Sequence, residues 1–200
     1  MAGTKKIERI QRATDKLLQL VNVNDLSEPP VPIEQIAYLR GVQLRRVPFS
    51  ASIVPKQEGE LSGLLLWEHG HIIIGVNELH SKTRQRFAIA HQLGHLELHY
   101  RDGMHIDRSF PVPLREDVQG VRKPGPYHAR PIVQSVDPVE MEANSFASEL
   151  LLPVTLLERD LRGHILDYED DILLRQLADR YQVSLQVMIF RLTSMGLINL

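Results

Sequence analysis

The stretch Phe87-Ala88-Ile89-Ala90-His91-Gln92-Leu93-Gly94-His95-Leu96-Glu97-Leu98-His99 constrains this chain more than any other. Phe87, His91, Gly94, His95 and Leu98 recur at the helical period and form a single stripe. Within that stripe His91 and His95 stand about one turn apart, so their imidazoles point the same way. Two neutral rings in that relation can share one metal ion. Ala90 and Gly94 flank the stripe as small residues, which leaves room for a second helix to come close. Glycine inside a helix costs roughly 1 kcal/mol relative to alanine, so the place of Gly94 beside the histidines points to a packing or access reason. Ser81 and Thr83 are the candidate N-caps.

Gln92 decides the chemistry. On a helix, H-E-x-x-H is a zinc-protease signature in which the histidines bind the metal and the glutamate is the general base. Here the stretch reads His91-Gln92-Leu93-Gly94-His95, so the ligands are kept and the base is replaced. A neutral amide cannot take a proton from water or pass one to a leaving amine, and losing such a group typically costs about 10²–10⁴-fold in rate. Glutamine keeps the size and most hydrogen bonds of glutamate. Fold and metal binding are therefore expected to survive in a chain that is nearly inactive as a hydrolase. That is the profile of an inactivated form, engineered or natural.

A catalytic zinc site takes three protein ligands and one open position. The chain has no cysteine, which removes thiolate ligands, disulfides and a thiol nucleophile. The third ligand should then be a histidine or a carboxylate from another element. The best source is Glu140-Met141-Glu142-Ala143-Asn144-Ser145-Phe146-Ala147-Ser148. At 100° per residue, Glu140, Asn144, Ala147 and Leu151 share a face, and Glu142 points roughly 200° away from Glu140. If that face meets the histidine helix, Glu140 binds the metal and Asn144 hydrogen-bonds a ligand from behind. Glu142 is the alternative if the face is misassigned. His99 reads as a partner at the helix end, where the dipole favours a cation, and not as a ligand.

The rest of the chain reads as helices, a small sheet, then helices, which is α+β. An amphipathic helix runs from Ile7 to about Val21, broken by Glu28-Pro29-Pro30-Val31-Pro32, and a short helix covers Ile33 to Leu39. Val42 to Val47 resembles an edge strand. Leu61 to Trp67 and His71 to Val76 form a hairpin around Glu68-His69-Gly70, and a small antiparallel sheet is expected. One hairpin strand is expected to border the cleft and to pair with an extended substrate. His69 and His71 are expected to face solvent. Residues 100–137 are proline-rich with little periodicity and read as a loop. Its Tyr127 and His128 are read as surface residues in preference to donors for a developing oxyanion. Four helices follow, over Val139–Leu152, Pro153–Leu161, Asp170–Tyr181 and Ser184–Met195. The division expected is a domain over 1–153 with a helical extension over 154–200 packed on it.

Ala90-His91-Gln92-Leu93-Gly94-His95, followed by Glu140-Met141-Glu142-Ala143-Asn144-Ser145-Phe146-Ala147 and Leu150-Leu151-Leu152-Pro153, resembles the ImmA/IrrE family of gluzincin-like metallo-endopeptidases. Ser62-Gly63-Leu64, the run Leu177 to Ser184, and Arg191-Leu192 resemble it too, so the likeness covers about residues 30–198. The resemblance implies a zincin-like domain with Zn2+ on His91, His95 and Glu140, ending in a helix pair like a helix-turn-helix. It further implies a cytoplasmic protease that cleaves a DNA-binding transcriptional repressor, relieving repression in a stress, mobile-element or anti-phage response. The alternative is a non-catalytic pseudoprotease, or a DNA- or protein-binding regulator, on the same scaffold.

Composition agrees with a soluble globular protein: 43% hydrophobic, 24% charged, net charge −2. That balance argues against a nucleic-acid sponge or a membrane-surface binder. Met1 to Arg9 has no apolar signal region, and no run approaches the roughly 20 apolar residues of a membrane span. From Glu158 to Leu200 five Lys/Arg face seven Asp/Glu, so direct DNA binding is the less favoured reading of the closing helix pair.

Overall fold

A computed structural model describes residues 2–22, 26–49, 60–99, 103–109, 137–162 and 171–198. The elements in order are α1 (Ala2–Leu18), α2 (Ile33–Leu39), β1 (Val42–Val47), β2 (Glu60–Glu68), β3 (His71–Asn77), α3 (Lys82–Leu98), β4 (Gly103–Ser109), α4 (Pro138–Leu151), α5 (Val154–Asp160), α6 (Asp171–Tyr181) and α7 (Leu185–Ser194). The fold is α+β, as the sequence predicts.

The strands lie in the order β1-β3-β2-β4. β2 and β3 form the expected hairpin, with Glu68 opposite His71. His69 and Gly70 both have positive φ, 49° and 80°, the backbone of the two-residue turn whose twist matches that of the strands it joins. β1 is an edge strand as read, but it runs parallel to β3, with Val42 opposite Ile72. The sheet is therefore mixed and not purely antiparallel, because β3 inserts between β1 and its sequence neighbour β2. Residues 103–109, assigned to a loop from sequence, instead form β4, antiparallel to β2 with His105 opposite Leu65. Both hairpin strands are internal and have no edge to offer an extended substrate, and among the described residues the outer strands are β1 and β4.

α3 packs on β2 and β3 with one side and on α4 with the other. Ser81 accepts a hydrogen bond from the Arg84 amide at 3.3 Å, which starts the helix as predicted. Asp137 caps α4 through the Val139 amide at 2.9 Å, with Pro138 in the first turn. Leu65 and Ile74 from the sheet, Ile89 and Leu93 from α3, and Phe146 and Leu150 from α4 are fully buried together. The same core takes in Leu177 and Tyr181 of α6 and Met188 and Leu192 of α7.

Gly94 sets the spacing of the two central helices. A Cβ there would stand 3.1 Å from Phe146 Cδ1 and 3.2 Å from both Cα and O of Ala143. The backbone of α4 occupies the space a side chain at position 94 would need. Further along α4, Glu149 accepts from Thr14 Oγ1 of α1 and from Arg191 Nη1 of α7, each at 3.1 Å. Arg191 Nε also donates to the Leu152 carbonyl at 3.2 Å, so one carboxylate and one guanidinium join three helices. Among the described residues, no helix is long and apolar enough to cross a membrane.

Gly94→Val is expected to lower stability by about 1–3 kcal/mol through overpacking, seen as a fall in the urea midpoint. It should also weaken metal binding, because α4 has to retreat from α3.

Candidate metal centre

Three elements bring four ligand atoms together. α3 contributes His91 and His95, α4 contributes Glu140, and β4 contributes His105, with all four ligand atoms within 4.8 Å of one another. His91 Nε2 and His95 Nε2 are 2.9 Å apart. Glu140 Oε2 lies 3.2 Å from His91 Nε2, and Oε1 lies 3.4 Å from His95 Nε2 and 3.4 Å from His105 Nε2. Donors held tetrahedrally at about 2.0–2.1 Å around zinc stand roughly 3.3 Å from each other. These four separations are of that size, within a set that spans 4.8 Å, and imidazole nitrogen with carboxylate oxygen suits a divalent transition metal. The donor set fits.

Behind the centre, Asn144 Oδ1 lies 2.9 Å from His91 Nδ1, one turn along α4 from Glu140. If Nδ1–H donates to that oxygen, the Nε2 lone pair is left facing the carboxylate. Without a metal, a proton on the ring nitrogens takes the cation's place and is shared with the carboxylate. Burial alone would raise the Glu140 carboxyl, but hydrogen bonds from His91 and His95 more than offset it and hold the group well below the usual carboxylate range. Burial pushes His95 down, against the opposing pull of Glu140, and so favours the neutral ring. An ionised carboxylate and neutral imidazoles are the protonation states a cation requires.

Gln92 is fully buried and extends toward β2, where a Cβ on Gly63 would meet its Nε2 at 3.3 Å. Neither its Oε1 nor its Nε2 has a hydrogen-bond partner. The alternative ligand Glu142 faces elsewhere: it pairs with Arg9 and, at 3.4 Å, with Lys6 of α1, and lies 3.7 Å from His99 Nε2. Of the two α4 carboxylates, Glu140 is the one beside His91 and His95. His99 stands outside the cluster and ends α3, its amide donating to the His95 carbonyl at 2.9 Å. Burial lowers its pKa, which works against the cation that the helix dipole favours there. His69 and His71 are exposed, as read. Tyr127 and His128 lie outside the described residues.

His105 is the residue that sequence reasoning missed. Its one signal is alternation: Met104 and Ile106 are exposed, and His105 between them turns inward, half-buried. Its ring lies 3.8 Å from that of His95, centroid to centroid.

Two outcomes follow for this centre. Asn144→Ala should weaken metal binding about 10–100-fold, measured by competition with a chelating dye. In chelator, stability should be greatest above about pH 6.5, the ordinary histidine value, and decline as pH falls through the lowered folded value of His95. The unfolded chain binds that proton more readily than the folded one. His91, Glu140, His99 and His105 surround His95, and the lowered Glu140 adds a further loss below the ordinary carboxylate range. Urea midpoints from pH 7.5 down to 4 check the sign, which a rise in stability on acidification would reverse.

The model of the IrrE N-terminal-like domain of the peptidase M78 family matches residues 49–116 and 133–193, well over half of the chain. The two matched segments carry all four clustered residues. No curated protein matches the chain. With a histidine–carboxylate cluster built on the matched segments, the chain belongs to the IrrE N-terminal-like, peptidase M78 family of metallopeptidase-type proteins.

Proposed function

We propose that this chain is a zinc endopeptidase of the HExxH type whose hydrolytic step is blocked at Gln92. The observation that carries the reading is the buried, unpartnered Gln92 amide on the same turn as two histidines that converge with Glu140. His91, His95 and Glu140 would hold Zn2+. The ion would supply Lewis acidity toward a peptide carbonyl and would acidify water. Asn144 orients the His91 ring, and Glu140 enters already ionised. A carboxylate at position 92 would accept a proton from the attacking water and return it to the leaving nitrogen; the Gln92 amide does neither. β4, the outer strand beside the centre, offers main-chain groups to an extended peptide.

The substrate proposed is a protein, a DNA-binding transcriptional repressor, cut in the cytoplasm to relieve repression in a stress, mobile-element or anti-phage response. Family resemblance supports this, and the lack of cysteine suits a reducing compartment. Gln92 equally supports a second reading, a non-catalytic regulator on the protease scaffold. For a DNA-binding regulator the closing helices offer little positive charge. Arg159 and Arg180 pair with Glu28 and Asp160, and Arg191 pairs with Glu149.

Elemental analysis should find one zinc per chain in both this protein and Gln92→Glu. Repressor cleavage should appear only in the glutamate form, faster by about 10²–10⁴-fold or more. Zinc in both with cleavage in neither would favour the non-catalytic regulator, and no zinc in either would remove the site.

A further inference from the structure

We propose that His105 is a fourth protein ligand, which closes the position that water or a substrate carbonyl would otherwise take. The inference rests on His91, His95 and Glu140 holding a divalent cation. His105 Nε2 lies 3.4 Å from Glu140 Oε1, the same distance that separates His95 Nε2 from that oxygen. A distance of 3.4 Å is at the long end for a hydrogen bond from a ring N–H, as it is for His95. It also matches the spacing of two donors around one ion, and the test below separates the two arrangements. Strand register fixes the ring's place: His105 pairs with Leu65 of the internal strand β2, and its exposed neighbours Met104 and Ile106 leave it as the inward-facing residue of that segment. A neutral imidazole adds a donor without changing the charge of the site, so the fourth position fills without electrostatic cost. Three imidazoles and one carboxylate make a closed set of the kind seen in non-catalytic metal sites, whereas catalytic sites keep one position open. In this protein the centre rests shut, and an incoming metal-binding group has to displace His105.

The test is Co2+ titration of the full chain and of His105→Ala and His105→Gln, read by visible absorption. Both variants should bind Co2+ at least about 10-fold more weakly, the lower end of what an outer-sphere loss costs, and both should show the same altered spectrum. Glutamine can donate a hydrogen bond to Glu140 but is a poor ligand. If it restores what alanine loses, His105 is a donor to the carboxylate and the proposal fails. Variants with unchanged affinity and spectrum would also overturn it. A second measurement needs no variant: in the zinc-loaded chain, long-range proton–nitrogen NMR should show His105 Nε2 shifted as a metal-bound nitrogen. A protonated His105 Nε2 would refute ligation while leaving the three-ligand reading intact. Failure of the chain to bind either metal would overturn both.

Discussion

The centre depends on how closely α3 and α4 approach. His91 and His95 are related by the rise of one helix, but Glu140 arrives on another, and its position is only as good as the contact between the two. That contact is Gly94 against the backbone of Ala143. Because positions three and four apart share a helix face, seating Ala143 on Gly94 places Glu140 one turn toward the helix start and Asn144 beside it. The His91 ring is then held at both ends from one face of α4, Nδ1 by Asn144 at 2.9 Å and Nε2 by Glu140 at 3.2 Å. Neither contact survives a retreat of α4 by the width of a methyl group.

α4 is also fixed at its far end. Arg191 is buried, and burial lowers its pKa against the opposing influence of Glu149. Such a pair adds little net stability compared with apolar residues of the same shape, yet removing one partner leaves the other charge buried and is strongly destabilising. Its effect is to specify where α1 and α7 meet α4. The closing helices thereby help to position the carboxylate of a centre they do not touch.

Much of this was legible in the sequence because it is local. The histidine pair, the facing of Glu140 and Asn144, the cap Ser81, and the His69-Gly70 turn all follow from periodicity or from backbone preference. What was not legible is non-local. β1 reads equally well as a partner of β2 or of β3, and only the packed sheet chooses β3. β4 presents Met104 and Ile106 outward and His105 inward, the reverse of the usual apolar-in pattern, and it opens a proline-rich stretch that carries no period. Its inward residue is polar because a cluster of imidazoles lies beneath it. The rule that finds strands is therefore defeated at the place where the strand contributes to the site.

Gln92 changes the chemistry of the site without disturbing this geometry. Its side chain lies against Gly63, where a methyl group would already be in close contact, and glutamate has the same outline. The difference is charge. A buried amide without partners costs about 1–3 kcal/mol, whereas an unpaired buried carboxylate costs considerably more unless it takes up a proton. Glu140 is already an ionised carboxylate in the same cluster, and a second carboxylate nearby would raise the energy of both. A cation would relieve that repulsion, so a glutamate at position 92 makes the fold depend on its metal more than Gln92 does. Glutamine removes the repulsion and the proton acceptor together: the same neutral amide that blocks hydrolysis lets the helices close around the histidines with a single negative charge among them.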